Sequence, residues 1–188
     1  QMGTPNSLVD LMGHEHLDGK ALLFMVDALY AAVNQGSSRP SRWRMSPFDN
    51  DWTSSLFVSQ DGVAMDSVAV DFCRSEPTLS GQVRGNGVDN YLHEAALAHD
   101  PPSGALYDPE GDGTRLASLG VHEHWNNATD MQYSRNLGTG DGIELDFMFD
   151  TFYFRKAEVE QNTPLMSRFV AQIRELAKEI GRQQRREI

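Results

Sequence analysis

The fold class is decided by residues 55–72, SLFVSQDGVAMDSVAVDF. The first five of these residues are an apolar run of strand length, which predicts a buried strand. Asp61 and Gly62 then form a turn that opens a helix. Beyond the turn the apolar residues recur at intervals of three and four, the spacing of an amphipathic helix; they are Val63, Ala64, Val68, Ala69 and Phe72. A strand, a tight turn and a helix in this order predict an α/β arrangement of layers.

Two other segments are predicted to be strands of the same sheet. Residues 21–26, ALLFMV, are a continuous apolar run and predict a second buried strand. In residues 143–150 the side chains alternate between an apolar face and a mostly acidic face, which is typical of a strand with one face toward a core. The apolar face carries Ile143, Leu145, Phe147 and Phe149, and the other carries Glu144, Asp146, Met148 and Asp150. Because single apolar strands are not stable in water, we expect one mixed or parallel sheet with the helix over 62–74 packed on it. The fold class is therefore α/β, with packed helices and long functional loops.

The end of the chain predicts a separate element. We expect an α/β domain over residues 1–154 and a C-terminal amphipathic helix within residues 155–188. Thr163 is a suitable N-cap, and Pro164 suits the first helical position. The helix carries an apolar stripe that we expect to be buried, made of Leu165, Phe169, Ile173, Leu176 and Ile180. This stripe packs either on its own domain or against a partner, such as a second copy in a homodimer.

Composition limits the classes of partner. The net charge of -11 and the pI of about 4.8 argue against a nucleic-acid partner. No apolar run approaches the ~20 residues that a membrane span requires, so we expect no membrane partner. The first residues, QMGTPNSL, lack the basic start and apolar core of an export signal. The expected ligand is therefore a small molecule, which composition does not identify.

The chain contains one cysteine, Cys73. One thiol excludes an internal disulfide and predicts that this chain holds no iron-sulfur cluster by itself. The surrounding apolar pattern is helical, so the thiol is predicted to be buried and inert rather than a nucleophile. The sequence also lacks the motifs of a nucleophile elbow and of a phosphate-binding loop.

Residues 108–127, DPEGDGTRLASLGVHEHWNN, concentrate polar side chains in a predicted loop. Asp108, Glu110 and Asp112, followed by glycine, match the first half of a calcium-binding loop, in which oxygen ligands occupy alternate positions. The match ends at Leu119, where a glutamate would complete such a loop, and Pro109 stiffens the second position. Turn chemistry by itself also explains this pattern. Two interpretations therefore stand, a bound divalent cation such as calcium and a structural turn.

The same loop contains His122, Glu123 and His124. On an extended segment both imidazoles would face one side, as ligands of one transition metal must. His14 and His16 have the same spacing, so the two tripeptides would supply four imidazoles to one metal if they met. Either histidine of the loop is then a ligand or a general base, and the glutamate is an acid/base group. The alternative is that each is a hydrogen-bonded structural residue.

Several segments resemble the domain-of-unknown-function 362 family, an uncharacterised bacterial family. They are NSLVDLMGHEHLDGK at 6–20, the stretch 46–72 that includes the predicted strand and helix, VDNYLHEAALAHDPPSGALYDPEGDGTRLASLGVHEHWNN at 88–127, and YSRNLGTGDGIEL at 133–145. The resemblance covers roughly residues 1–145, corresponds to the C-terminal half of family members, and is most specific over 89–127. Some relatives are associated with iron-sulfur clusters and many bacterial members look exported. The resemblance thus implies a bacterial protein whose full-length form is exported, but it implies no mechanism.

Two functional hypotheses follow. The first is a metal-dependent enzyme, or its substrate-side domain, that uses the loop from Asp108 to His124 with a bound cation. We then expect Asp108, Asp112 and His122 or His124 to converge in one polar pocket near the carboxyl ends of the strands. The second is a non-catalytic binding or accessory domain of a redox or iron-sulfur-linked system.

Overall fold

The computed structural model describes residues 1–147 except 35, 38, 80–82, 84 and 86. Gln1–Asp146 form one compact unit. The predicted C-terminal helix within 155–188, its apolar stripe and the domain boundary at 154 lie outside the described residues, so they stay predictions.

The described residues form three helices, α1 (Ser7–Gly13), α2 (Gly62–Ser75) and α3 (Asn90–Ala96). Helix α2 begins where the sequence predicted. The Asp61 carboxylate accepts the backbone N–H of Ala64 at 2.9 Å, which satisfies a donor that the first turn of a helix leaves unpaired. The buried face of α2 mixes apolar residues with two polar ones at i, i+4, and this polar pair positions the candidate site.

The strands are β1 (Phe24–Ala28), β2 (Ala31–Ala32), β3 (Pro40–Ser41) and β4 (Ser55–Ser59). β1 pairs with β4 and β2 with β3, and both pairs are antiparallel. The mixed α/β class is confirmed, and so is the strand over 55–59. The expected parallel pairing is not found among the described residues. Between β1 and β4 the chain makes the small β2·β3 hairpin instead of a crossover helix, and it returns in the opposite direction.

The prediction that both long strands are buried was wrong for one face. Residues in β1 and β4 alternate between partly buried and exposed, and the exposed face carries Met25 at 58% and Val58 at 59% exposure. The other face packs on α2, where the rings of Phe57 and Phe72 lie 5.3 Å apart. A two-stranded sheet covered by one helix can bury only one of its faces. In addition, β1 begins three residues later than the apolar run.

The third predicted strand is not a strand over its described part, residues 143–147. Its burial alternates over 143–146, where Ile143 is buried and Glu144 is exposed, but Phe147, predicted to face the core, is 39% exposed. Its partner is a turn rather than another strand. The side-chain amide of Asn136 donates to the Leu145 carbonyl at 3.2 Å and accepts the Leu145 N–H at 3.0 Å, while the Arg135 N–H donates to the Ile143 carbonyl at 3.3 Å. Alternating burial therefore arises here without sheet pairing.

Helix α2 contributes to two apolar clusters. One surrounds Phe72 and contains Trp43, Phe48, Val68, Leu79, Met131, Tyr133 and Ile143. The other surrounds Val63 and contains Val9, Leu92, Ala95, Ala98 and Tyr107. Long irregular segments are fixed to α2 by polar side chains as well. At its C-terminal end the fully buried Glu76 carboxylate accepts the backbone N–H groups of Arg44, Met45 and Thr78. Across the described part of the chain, no helix has the length and apolar character needed to span a membrane.

Candidate metal centre

Two histidines of the loop 108–127 face helix α2. Nδ1 of His122 lies 2.8 Å from the hydroxyl of Ser67, and Nδ1 of His124 lies 2.7 Å from Oδ1 of Asp71. Ser67 and Asp71 are four residues apart on the buried face of the helix, a rise of about 6 Å. Two residues of extended chain span about 6.6 Å. The i, i+4 pair on the helix therefore matches the i, i+2 pair of histidines running beside it.

Backbone hydrogen bonds hold this segment along the helix. The Val121 N–H donates to Asp61 Oδ2 at 2.8 Å, and the Trp125 N–H donates to Asp71 Oδ2 at 3.0 Å. The hydroxyl of Tyr133 donates to the same Asp71 oxygen at 2.9 Å. Since the segment is fixed just before and just after the two histidines, their rings have little freedom to move away from α2.

Two further side chains reach the histidines from the start of α3. Asp89 and His93 are one helical turn apart, so their side chains share a face, and Nε2 of His93 lies 3.6 Å from Oδ2 of Asp89. With His122 and His124 they form a group whose ligand atoms all lie within 4.8 Å of one another. We call these four residues the His/Asp cluster. In the described part of the chain it is the one group of three or more His, Cys, Asp or Glu side chains whose ligand atoms lie close enough together to share a metal ion.

Distances within the His/Asp cluster resemble those of a tetrahedral metal site. Nε2 of His122 lies 3.3 Å from Nε2 of His93, and Nε2 of His124 lies 3.3 Å from Oδ2 of Asp89. Nε2 of His122 lies 3.9 Å from the same Asp89 oxygen. Bonds of about 2.0–2.1 Å to zinc place neighbouring tetrahedral ligand atoms about 3.3 Å apart. Small side-chain movements would therefore bring the four atoms to bonding distance of one ion.

The outer hydrogen bonds fix which nitrogens face the cluster as acceptors. The Ser67 hydroxyl donates its one proton to the Val63 carbonyl at 2.8 Å, so it accepts from Nδ1–H of His122. The Asp71 carboxylate likewise accepts from Nδ1–H of His124. With Nδ1 as the donor in each ring, Nε2 is the nitrogen that is left to face the cluster. Outer hydrogen bonds of this kind orient metal-binding histidines and increase their basicity.

Electrostatics keep two members of the cluster, His122 and Asp89, in the protonation state that metal binding requires. Burial, reinforced by the neighbouring imidazoles of His93 and His124, lowers the pKa of His122 to about 4. Burial alone would raise the pKa of Asp89, but hydrogen bonds and charge from Arg74 outweigh it and lower that pKa to about 2. At neutral pH the cluster therefore offers a neutral imidazole and an ionised carboxylate. Metal ions require deprotonated ligands of this kind.

The cluster has a closed side and an open side. The side chains of His122 and Asp89 are 3% and 6% exposed, whereas those of His93 and His124 are 34% and 40% exposed. The first pair forms the floor of the cluster and the second pair lies at its rim. A molecule from solvent would therefore approach past His93 and His124.

The sequence interpretation found half of this cluster. His122 and His124 do share one side and lie together, as expected. Asp89 and His93 were missed, although the D-x-x-x-H spacing at the start of a predicted helix places both side chains on one face. Such a spacing is too common to indicate a site by itself. Asp89 and His93 come close to His122 and His124 only in the folded chain.

Glu123 faces away from the cluster. Its Oε1 accepts the hydroxyl and the N–H of Ser134 at 3.0 and 3.2 Å, and the N–H of Ile143 at 2.5 Å. A side chain at Gly142 would collide with this carboxylate. These contacts give Glu123 a structural role in holding the turn over 134–143. A catalytic role for it stays a prediction.

The first histidine pair is elsewhere on the surface. His14 and His16 are not members of the His/Asp cluster, so the four-imidazole site does not form in the described structure. Their rings lie 5.0 Å apart, and Nδ1 of His14 lies 3.6 Å from Oε1 of Glu110. The side chain of His16 is mostly exposed.

The acids of the calcium-like pattern bind backbone groups. Asp108 accepts the N–H groups of Asp112 and Gly113 at 3.2 and 2.8 Å, and Asp112 accepts that of Thr114 at 2.7 Å. Glu110 accepts the N–H of Glu15 at 2.8 Å. The Asp112–Thr114 bond is the two-residue turn that aspartate favours, whereas Glu110 bonds to a segment distant in sequence. The three acids do not join His122 and His124 in one metal-binding group. A cation at Asp108, Glu110 and Asp112 stays a prediction.

Comparison of the chain with protein-family models, with curated proteins and with solved structures gives no match. The function is therefore inferred from the geometry of the His/Asp cluster.

Proposed function

We propose that the His/Asp cluster binds one divalent transition-metal ion and that the protein is a metal-dependent enzyme acting on a small molecule. The observation that carries the proposal is the orientation of the imidazoles. Ser67 and Asp71 take the Nδ1 protons of His122 and His124, which leaves two Nε2 lone pairs beside the Asp89 carboxylate. Neutral imidazole nitrogens and a carboxylate that face one another in this way are the deprotonated ligands that a metal ion requires.

The composition of the cluster favours zinc or a related transition metal over calcium. Imidazole nitrogen is a preferred ligand of zinc, copper, iron and nickel, whereas calcium binds oxygen ligands. The cluster offers three imidazoles and one carboxylate oxygen. Zinc is the first candidate because four such atoms at about tetrahedral spacing are its usual environment.

Catalytic use of the ion is supported by the open side of the cluster. Catalytic zinc sites often use three protein ligands and can expand from four to five ligands during reaction. His93 and His124, at the exposed rim, leave room for a molecule to reach the ion from solvent. The ion would supply Lewis acidity, or a bound water of lowered pKa. His122 and Asp89 would hold it from the buried floor.

A structural metal in a non-catalytic accessory domain is the second candidate. It is favoured by the presence of four protein ligand atoms, because structural zinc sites have all four positions filled by the protein. The two candidates differ in one measurable property. A catalytic ion exchanges or adds a ligand from solution, and a closed structural ion does not.

The family resemblance remains part of this proposal. We propose that residues 1–145 correspond to the C-terminal half of the domain-of-unknown-function 362 family. In support, all four members of the His/Asp cluster fall within residues 89–127, the most specific part of the resemblance. An iron-sulfur-linked role and export of a longer bacterial protein rest on the resemblance alone.

The test is metal binding by the purified chain and by matched variants. Native mass spectrometry and a zinc or cobalt(II) titration should show one ion per chain. His122→Ala and His124→Ala should each lower the affinity by at least about tenfold, since each removes one ligand. His16→Ala, at an exposed histidine outside the cluster, should leave it unchanged.

Two outcomes would contradict the proposal. One is the absence of any stoichiometric metal binding by the wild-type chain. The other is an equal loss of affinity in His16→Ala and His124→Ala, which would indicate adventitious binding to surface histidines.

A further inference from the structure

Three members of the His/Asp cluster are each held by a side chain outside the cluster, and the fourth, His93, is not. The three contacts are 2.7–2.9 Å long, and they join His122 to Ser67, His124 to Asp71, and Asp89 to Arg74. In the part of the chain that the structure describes, the His93 ring forms hydrogen bonds, ion pairs and ring contacts only with other members of the cluster.

This difference affects how firmly each side chain could hold an ion. An outer partner fixes the orientation of a metal ligand, and its loss lowers metal affinity about 10–100-fold. The side chain of His93 is 34% exposed, so its ring has room to turn toward solvent. His124 is 40% exposed, but its bond to the buried Asp71 and the neighbouring bond from the Trp125 N–H oppose the same movement.

Hydrogen bonding inside the cluster also distinguishes His93 from His122. Nδ1–H of His122 donates to Ser67, so Nε2 of the neutral His122 ring is an acceptor. The 3.3 Å contact between Nε2 of His122 and Nε2 of His93 then places a proton on the His93 nitrogen. His93 therefore faces the cluster as a hydrogen-bond donor, and this proton must leave Nε2 before that atom can bind an ion.

A structural explanation accounts for the position of His93 but not for this difference. Asp89 and His93 share a face of the chain because they are four residues apart. The rings of His93 and His122 pack edge to face, with centroids 4.3 Å apart. A closed structural metal site has four protein ligands in fixed positions, whereas outer partners support only three members of this cluster.

Resting on the proposed metal centre, we infer that His93 is its replaceable ligand. His122, His124 and Asp89 hold the ion, and a nitrogen or oxygen atom of the small-molecule substrate takes the place of His93. Three protein ligands and one open position are the usual arrangement of catalytic zinc. The displaced imidazole remains on α3 beside the bound molecule, where it can donate or accept a proton.

NMR of the histidine ring nitrogens in zinc-loaded wild-type protein tests this inference directly, with imidazole as the added ligand. We expect imidazole to shift the ring nitrogens of His93 saturably toward the values of an unligated histidine. Those of His122 and His124 should keep their zinc-bound values. Because this experiment uses wild-type protein, it does not depend on the folding of a variant.

His93→Ala and His124→Ala are a matched pair, since each removes one imidazole from the exposed rim of the cluster. In competition with a chelator, His124→Ala should bind zinc at least about tenfold more weakly than wild type, and His93→Ala should lose clearly less affinity. In cobalt(II)-loaded His93→Ala, added imidazole should restore the wild-type visible spectrum, because it fills the position of the missing ring. It should not do so in His124→Ala.

The outcomes separate this inference from the metal proposal. If wild type binds no zinc, the metal centre itself fails. If zinc binds but imidazole displaces His124, or displaces no histidine, the inference is refuted and the metal centre stands. Equal losses of zinc affinity in His93→Ala and His124→Ala would also refute it, because the two ligands would then be equivalent.

Discussion

Replacing Asp71 with asparagine should separate the metal-binding role of its carboxylate from its structural role. The carboxylate is 4% exposed. It accepts from Nδ1 of His124 at 2.7 Å through Oδ1, and from the Trp125 N–H and the Tyr133 hydroxyl at 3.0 and 2.9 Å through Oδ2. An asparagine can keep its oxygen toward Trp125 and Tyr133. Its NH₂ group then faces Nδ1 of His124, where a proton acceptor is required.

This substitution reverses the hydrogen-bond requirement of His124. Nδ1 must become the acceptor, so the neutral ring carries its proton on Nε2, the atom that faces the other cluster members. Metal binding then requires the less suitable tautomer or loss of the hydrogen bond, and loss of such an outer partner lowers metal affinity about 10–100-fold. The unfolding free energy measured in chelator should fall by about 1–3 kcal/mol, because a charged acceptor is replaced by a neutral one.

Asp66→Asn is the matched control for Asp71→Asn. Asp66 lies on the same helix and accepts the Tyr91 hydroxyl at 2.9 Å, but it is not hydrogen-bonded to a cluster histidine. It should lose some stability and keep wild-type metal affinity. Competition of each variant against a chelator of known affinity gives the metal dissociation constants, and urea denaturation gives the stabilities. The reasoning is refuted if Asp71→Asn binds zinc as tightly as Asp66→Asn.

Two stability predictions test the packing around α2. Burial alone would raise the pKa of Glu76, but hydrogen bonds from three backbone N–H groups outweigh it and lower this pKa below its usual value of 4.5. The ionised Glu76 therefore stabilises the folded protein fully above about pH 4.5. This stabilisation is lost as the pH falls through the lower pKa of the folded state. Urea denaturation across this acidic range should therefore show a steeper loss for wild type than for Glu76→Gln, and parallel curves would contradict the assignment. Phe72→Ala should lower the unfolding free energy by about 3–5 kcal/mol, because its ring packs 5.0 Å from that of Trp125 and 5.3 Å from that of Phe57. A loss below about 1 kcal/mol in urea denaturation would show that this ring is not central to the core.

Local patterns predicted the elements whose causes are local. The turn at Asp61 and Gly62 set the start of α2, because a capping carboxylate and the helical spacing of apolar residues act within a few residues. The short apolar run over 55–59 predicted β4 correctly. The alternation from Ile143 onward predicted the burial of Ile143 but not what the segment pairs with. The Asn136 amide, in a turn, bonds to the backbone of Leu145 and leaves the same pattern of inward and outward side chains as a neighbouring strand would.

Both local sequence spacing and tertiary packing determined which residues form the site. The i, i+2 spacing of His122 and His124 predicted that they face the same side, and that is a property of the chain alone. Asp89 and His93 join them because α2 packs against both α3 and the loop, and no local pattern records that packing. Likewise, the calcium-like spacing of Asp108, Glu110 and Asp112 does not show whether the carboxylates bind an ion or nearby N–H groups, since both satisfy the same oxygens.

The sequence by itself thus determined where α2 and β4 form and which side of the loop carries the two imidazoles. Tertiary structure decided the antiparallel direction of β1 and β4, the single covered face of their sheet, and the meeting of four ligand-type side chains from two separate segments. The physical reason is the distance along the chain over which each interaction acts. Capping and periodicity act over one or two turns, whereas Asp89 is brought to His124 by the joint burial of apolar side chains along the whole length of α2, which no single segment specifies.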